Sequence, residues 1–153
     1  MSYLEQKRNA IMNAVASGQL TNLLAGCTWL DGYFGGGGSI QTPTANKEKY
    51  CDEYIEVEPN HYYAIIYRYS SLVGIWTRCC AYNSSKAYNE LITWTNNDNR
   101  STFGIGTFRT NGQTTYLRFS SRTYGNSDFA LVDMNDLEDL VESKITYENV
   151  TAQ

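Results

Sequence analysis

The chain carries one histidine and two prolines, charged residues make up only 18% of it, and none of its apolar runs is long. Each shortage closes a class of function. A membrane-spanning helix needs about 20 consecutive apolar residues, and no stretch here approaches that. The formal net charge is −4 and Lys/Arg residues are nowhere clustered into a stripe, so nucleic acid is not an expected partner. Glu5, Lys7 and Arg8 precede an amphipathic segment instead of an apolar signal core, so no secretion signal is read and folding in cytoplasm is expected. Scarce proline with 12 glycines argues against a disordered or collagen-like chain.

Catalytic sets are equally thin. The single histidine, His61, follows Pro59 and reads as a surface turn residue, not a general base. The acids fall in Asp52-Glu53, Glu56 with Glu58, and the stretch from Asp136 to Glu142, where solvated faces account for them. A glycosidase needs two carboxyl groups held rigidly about a cleft, and no such pair stands out. The four cysteines, Cys27, Cys51, Cys79 and Cys80, lack the spacing of a zinc site or redox pair. Cys79 and Cys80 are adjacent in an expected strand and so point to opposite faces. Reduced cysteines, no metal site, no cofactor and no enzyme activity are the expectations.

What the chain has is aromatic strands. Aromatics reach 14%, with 13 tyrosines, and tyrosine favours half-buried pleated surfaces. Ile55 and Val57 alternate with Glu56 and Glu58, and Tyr63, Ile65 and Tyr67 face one side of the next strand. A third strand runs from Gly74 to Tyr82, and Tyr88 to Trp94 forms a further strand or irregular edge. Phe103, Ile105 and Thr107 alternate again, Asn111-Gly112 signals a hairpin turn, and Leu117 with Phe119 marks the following strand. Phe129 to Val132 is the last. The Gly35–Gly38 run lacks the Gly-Lys-Ser/Thr ending of a phosphate loop and reads as a turn between two strands. Turns every eight to twelve residues point to an all-β sandwich.

Helical segments flank this body. Residues 2–16 read as an amphipathic helix with Leu4, Ile11, Met12 and Val15 near one face and Ser17-Gly18 as its stop. Leu20 to Leu24 adds a second helical turn. The helix either closes one end of the sandwich or forms an arm that docks on a neighbouring subunit. For the second case the assembly contacts are Leu4, Ile11, Val15, Leu20, Leu23 and Leu24. Near the C-terminus an acidic helix starts around Asn135 as cap, with Leu137, Leu140 and Val141 on one face. The expected organisation is a helical arm over 1–26, a β-sandwich over 27–134, and a helix with tail over 135–153.

The strand run over residues 29–134 resembles the jelly-roll, carbohydrate-binding-module-like domains of bacteriophage virion proteins in tails, baseplates, fibres and head decorations. The resemblance rests on Tyr54-Ile55-Glu56-Val57-Glu58-Pro59-Asn60, then Tyr63-Ala64-Ile65-Ile66-Tyr67, Ala81-Tyr82-Asn83, Tyr116-Leu117-Arg118-Phe119, and Gly32-Tyr33 ahead of them. Asn60 stands where such domains carry a turn glycine, and Ala81 and Asn83 replace an aromatic and an acid. The resemblance implies a jelly-roll sandwich attached to a virion, other virion proteins or further copies of the chain as partners, trimers among them, and host glycans as ligands. It also allows a structural calcium among loop acids such as Asp31, Asp52 and Asp98, which the sequence does not group.

Sugar faces stack on exposed aromatic rings while amides and carboxylates bond the hydroxyls. The candidate glycan contacts are Tyr88, Trp94, Asn97 and Asp98 at a strand end and its loop, with Trp76 and Tyr82 as a second platform. The competing reading is that a sandwich of this size needs large core residues, which would absorb most of these rings. The leading expectation is a non-enzymatic phage structural protein that attaches to the virion and engages host glycans. The rivals are a freestanding carbohydrate-binding module and a decoration or oligomerisation module without sugar binding; Met1 followed directly by a helix disfavours a fragment of a larger enzyme.

Overall fold

The computed structural model describes residues 3–45, 47–68, 77–92, 103–121 and 129–142. Among the described residues, to which the counts that follow refer, strands dominate, every pairing is antiparallel, and two helices flank them. The larger sheet has six strands: β1 (Trp29–Asp31), β4 (Lys49–Cys51), β10 (Tyr116–Ser121), β7 (Thr77–Tyr82) and β8 (Tyr88–Ile92) in that order, with β5 (Ile55–Glu56) also on β10. The second has three, β11 (Phe129–Asp133), β6 (Tyr62–Arg68) and β9 (Phe103–Arg109). A two-stranded hairpin joins β2 (Tyr33–Phe34) to β3 (Ile40–Gln41).

Alternation along the strands decides how these sheets pack. Tyr63 and Ile65 on β6, Phe108 on β9, and Phe129 and Leu131 on β11 share one buried cluster with Cys79, Ala81, Ile92, Leu117 and Phe119 of the larger sheet. One face of each sheet therefore lies against the other. Rings meet edge to face within it, Phe119 on Phe129 at 5.8 Å and Trp29 on Phe129 at 6.3 Å, the geometry favoured by the ring quadrupole. Ile55 and Val57 turn toward this cluster while Glu56 and Glu58 stay exposed, as their alternation predicts.

The opposite face of the three-stranded sheet is also dry, which the two-residue period alone does not predict. Ala64, Ile66, Ala130 and Val132 lie beneath Ile11, Met12, Ala14 and Val15 of α1 (Tyr3–Ser17), beneath Leu20, and beneath Leu137 and Leu140 of α2 (Met134–Leu140). The N-terminal helix thus covers a face of its own chain's sheet. Each Val, Leu, Ile or Met side chain buried there contributes about 1.5–3 kcal/mol. The helix stops at Gly18, whose φ of +82° suits a residue without Cβ, and the Gly18 and Leu20 N–H groups donate to the carbonyls of Val15 and Ala14.

Leu20 does not begin the expected second helical turn, which falls a little later, over residues 23–26. The chain instead runs to Asn22 and Leu23, which close the edge of β11: the Leu23 N–H donates to the Leu131 carbonyl (2.8 Å) and the Leu131 N–H to Asn22 Oδ1 (3.1 Å). Such a cover removes an exposed strand edge.

One turn assignment and one helix cap change as well. Asn111-Gly112 does not close a hairpin, because β9 pairs with β6 and β10 pairs with β7. A turn signal is local, and the sheet that the next strand joins is not. The Asn111 side chain organises this crossover, accepting from the Gln113 N–H and the Thr114 hydroxyl. Asn60 adopts φ +54°, so an asparagine fills a left-handed turn position that glycine also favours. The cap of α2 is Asp133, not Asn135: its carboxylate accepts from the Asn135 N–H at 2.8 Å. No helix among the described residues is long and apolar enough to cross a membrane.

Candidate functional site: a tyrosine-lined sheet face

The outer face of the six-stranded sheet carries a different chemistry from its inner face. With Leu117 and Phe119 turned inward, β10 presents Tyr116, Arg118 and Ser120 outward, and β7 likewise presents Cys80 and Tyr82. The β2–β3 hairpin folds over part of this face. Its Phe34 is fully buried, and the Phe34 N–H donates to Ser120 Oγ at 3.1 Å. Phe34 also meets Tyr50 edge to face at 5.6 Å.

Arg118, only 8% exposed, is the centre of the arrangement. Its guanidinium lies 4.6 Å from the Tyr54 ring centroid, 5.1 Å from Phe34 and 5.7 Å from Tyr50. Nε donates to the Cys51 carbonyl (3.3 Å) and Nη2 to the Asp52 carbonyl (3.1 Å), with the Asp52 carboxylate 3.8 Å away. Ring faces and carbonyl oxygens together replace the water that a buried cation gives up. Arg118 thereby locks β10 to the link between β4 and β5.

Tyrosines extend outward from this anchor. Tyr54 meets Tyr82 edge to face at 4.9 Å and Tyr116 at 6.1 Å, and Tyr82 meets Tyr88 at 6.2 Å. Lys86, at φ +62° in the β7–β8 turn, holds its ammonium 5.2 Å from the Tyr54 ring and 5.4 Å from Tyr116. Gly38 closes the other side. At φ +80° it rests on the tyrosines, and a Cβ there would come within 2.8 Å of the Tyr88 ring and 3.4 Å of the Tyr82 hydroxyl. Burial, with a smaller push from Cys80 and an opposing pull from Arg118, raises the Tyr82 hydroxyl to about 12. Burial also lifts the Cys80 thiol to about 11 against the pull of Tyr82, Arg118 and Arg78.

Of the glycan contacts expected from sequence, Tyr88 is 39% exposed at the rim of this face, while Tyr82 is 4% exposed. Tyr82 is corrected from a ligand-stacking ring to part of the floor, because the hairpin and Tyr88 cover it. Trp76, Trp94, Asn97 and Asp98 lie outside the described residues. Of the expected assembly contacts, Ile11, Val15, Leu20 and Leu24 are buried within their own chain and Leu23 packs partly against its core. The side chain of Leu4 lies outside the described ones. Sequence reading passed over Lys86, Tyr54, Tyr116 and Arg118 as site residues. The signal was present: once Leu117 and Phe119 are assigned to the core, Tyr116 and Arg118 must face the other way.

His61 is half-buried and directly follows the Pro59-Asn60 turn. Its Nε2 lies 2.9 Å from the Asp133 carboxylate and its Nδ1 3.6 Å from that of Glu58, so it ties the turn before β6 to the start of α2. Asp31 pairs with Lys49 at 3.2 Å, and Asp52 faces Arg118. Among the described residues, the group with metal-ligating atoms gathered together is Cys27, Cys51 and Glu53.

No family model, curated protein or solved structure matches the chain.

Proposed function

We propose that this chain is a non-enzymatic binding protein of a bacteriophage virion, a jelly-roll β-sandwich akin to carbohydrate-binding modules, which engages a host-surface glycan at the outer face of its larger sheet. The observation that carries the reading is Tyr88: an exposed ring seated on a buried tyrosine floor, with Tyr54, Tyr116 and the Lys86 ammonium alongside. A ring fixed before binding loses little conformational freedom when a sugar stacks on it. Lys86 adds a donor for hydroxyls and a charge for acidic sugars. The paired sheets, together with strand motifs that resemble those of phage virion domains, support the wider setting.

Two experiments test this. A broad panel of bacterial surface glycans presented to the full-length protein is expected to give binding that Lys86→Ala weakens; no binding across the panel would sink the sugar reading. Mass spectrometry of purified virions is expected to detect the chain, and its absence from particles would sink the virion reading.

A second reading, contact between subunits, draws on β8, an edge strand among the described residues that exposes both Tyr88 and Leu91. Light scattering separates the two. A stable oligomer dispersed by Leu91→Lys favours assembly, and a monomer at high concentration favours an external ligand.

A further inference from the structure

Strand pairing brings together two cysteines that the sequence keeps far apart. β1 and β4 run antiparallel with Trp29 opposite Cys51, and the Asp52 N–H donates to the Thr28 carbonyl at 2.9 Å, continuing the ladder beyond both strands. That register sets Cys27 across from Glu53. Residues 27, 29, 51 and 53 then share one face of the ribbon, while Asp52 turns the other way to Arg118. Cys27 Sγ, Cys51 Sγ and a Glu53 carboxylate oxygen all lie within 4.8 Å of one another, and Cys51 Sγ is 3.7 Å from Glu53 Oε2.

We propose that Cys27, Cys51 and Glu53 form a three-ligand site for a thiophilic divalent cation of the zinc class, with water as fourth ligand. The spacing fits. Zinc–sulfur bonds near 2.3 Å and zinc–oxygen bonds near 2.0–2.2 Å give tetrahedral edges of about 3.5–3.8 Å, so the trio needs only a small closure. Glu53 is also held by a second contact: the Thr28 N–H donates to Oε2 at 2.8 Å and fixes the carboxylate, the outer support that metal ligands usually have. Cys51 is buried, whereas Cys27 and Glu53 are half-buried, which gives the ion a route in and leaves room for water. Binding releases the two thiol protons to solvent, and the carboxylate coordinates as it stands, with no change of oxidation state. The ion would fasten the 22–28 segment, which covers the edge of β11, to the end of β4 in the other sheet.

The test uses the reduced full-length protein and Cd²⁺ alone, whose thiolate bonds absorb in the ultraviolet. The expected result is one Cd²⁺ per chain, with loss of the absorption in Cys27→Ser and affinity at least about tenfold weaker in Glu53→Gln, which keeps both thiols. Zn²⁺ should raise the melting temperature of the wild type and leave that of Cys27→Ser unchanged, a readout that stands even if a Cys51 variant fails to fold. No stoichiometric Cd²⁺ binding overturns the proposal. So does unchanged affinity in Glu53→Gln, or a Cys27–Cys51 disulfide whose reduction yields no Cd²⁺-binding form.

Discussion

The two sheets are closed on their outer faces by opposite chemistries. On the three-stranded sheet, Ala64, Ile66, Ala130 and Val132 lie under aliphatic side chains from both helical segments. On the six-stranded sheet, Cys80, Tyr82 and Arg118 lie under Phe34, Tyr50, Tyr54 and Tyr116. The first cover meets the sheet through aliphatic side chains alone and satisfies a packing requirement. The second ends in half-exposed rings and an ammonium, groups that can recognise as well as pack. The two faces therefore differ in which atoms reach the rim.

Substitutions at the centre of each face give the largest effects. Ile66→Ala should cost about 3 kcal/mol by leaving a cavity beneath the helices, measured by chemical denaturation. Arg118→Ala should cost a comparable amount for another reason: two carbonyls lose a charged donor and three rings lose their cation. The two should diverge in ligand binding, with Ile66→Ala retaining affinity under folding conditions and Arg118→Ala losing it. Equal loss in both would erase the distinction drawn between the faces.

Gly38→Ala should cost about 1–2 kcal/mol, because a residue with Cβ is strained at that positive φ. Its methyl group would also displace the Tyr88 ring, so binding should fall further than stability. A crystal structure of the variant with Tyr88 unmoved would contradict this.

Alkaline titration distinguishes the faces more gently. Tyrosine in the unfolded chain ionises near pH 10, whereas the folded chain holds the Tyr82 proton to about 12. Between those values the unfolded state binds fewer protons, so stability should fall as pH rises from about 10 to about 12. Tyr82→Phe should make that slope shallower, leaving the share of Tyr63 and Tyr88, whose hydroxyls burial also raises, and Ile66→Ala should leave it as it is.

Much of the inner core was legible from alternation. Leu117 with Phe119, Ile55 with Val57, and Tyr63 with Ile65 all turn inward as a two-residue period demands. The second buried face of β6 was not legible, because what covers Ala64 and Ile66 comes from both ends of the chain. The hairpin lid over Tyr82 was hidden for the same kind of reason: the glycine run announces a turn but not the surface on which it lands. The approach of Cys27 to Cys51 likewise depends on strand register, which spacing along the chain does not encode. Local pattern set which side chains pair along a strand, and long-range packing set which of them remain available.

The most direct test compares glycan affinity and melting temperature in Tyr88→Ala, measured on the same preparation as the wild type. Because the ring sits at the rim, truncation should change stability by less than about 1 kcal/mol while weakening binding to a host-surface glycan at least about tenfold. Undiminished binding by a folded Tyr88→Ala protein would contradict the assignment of recognition to this face.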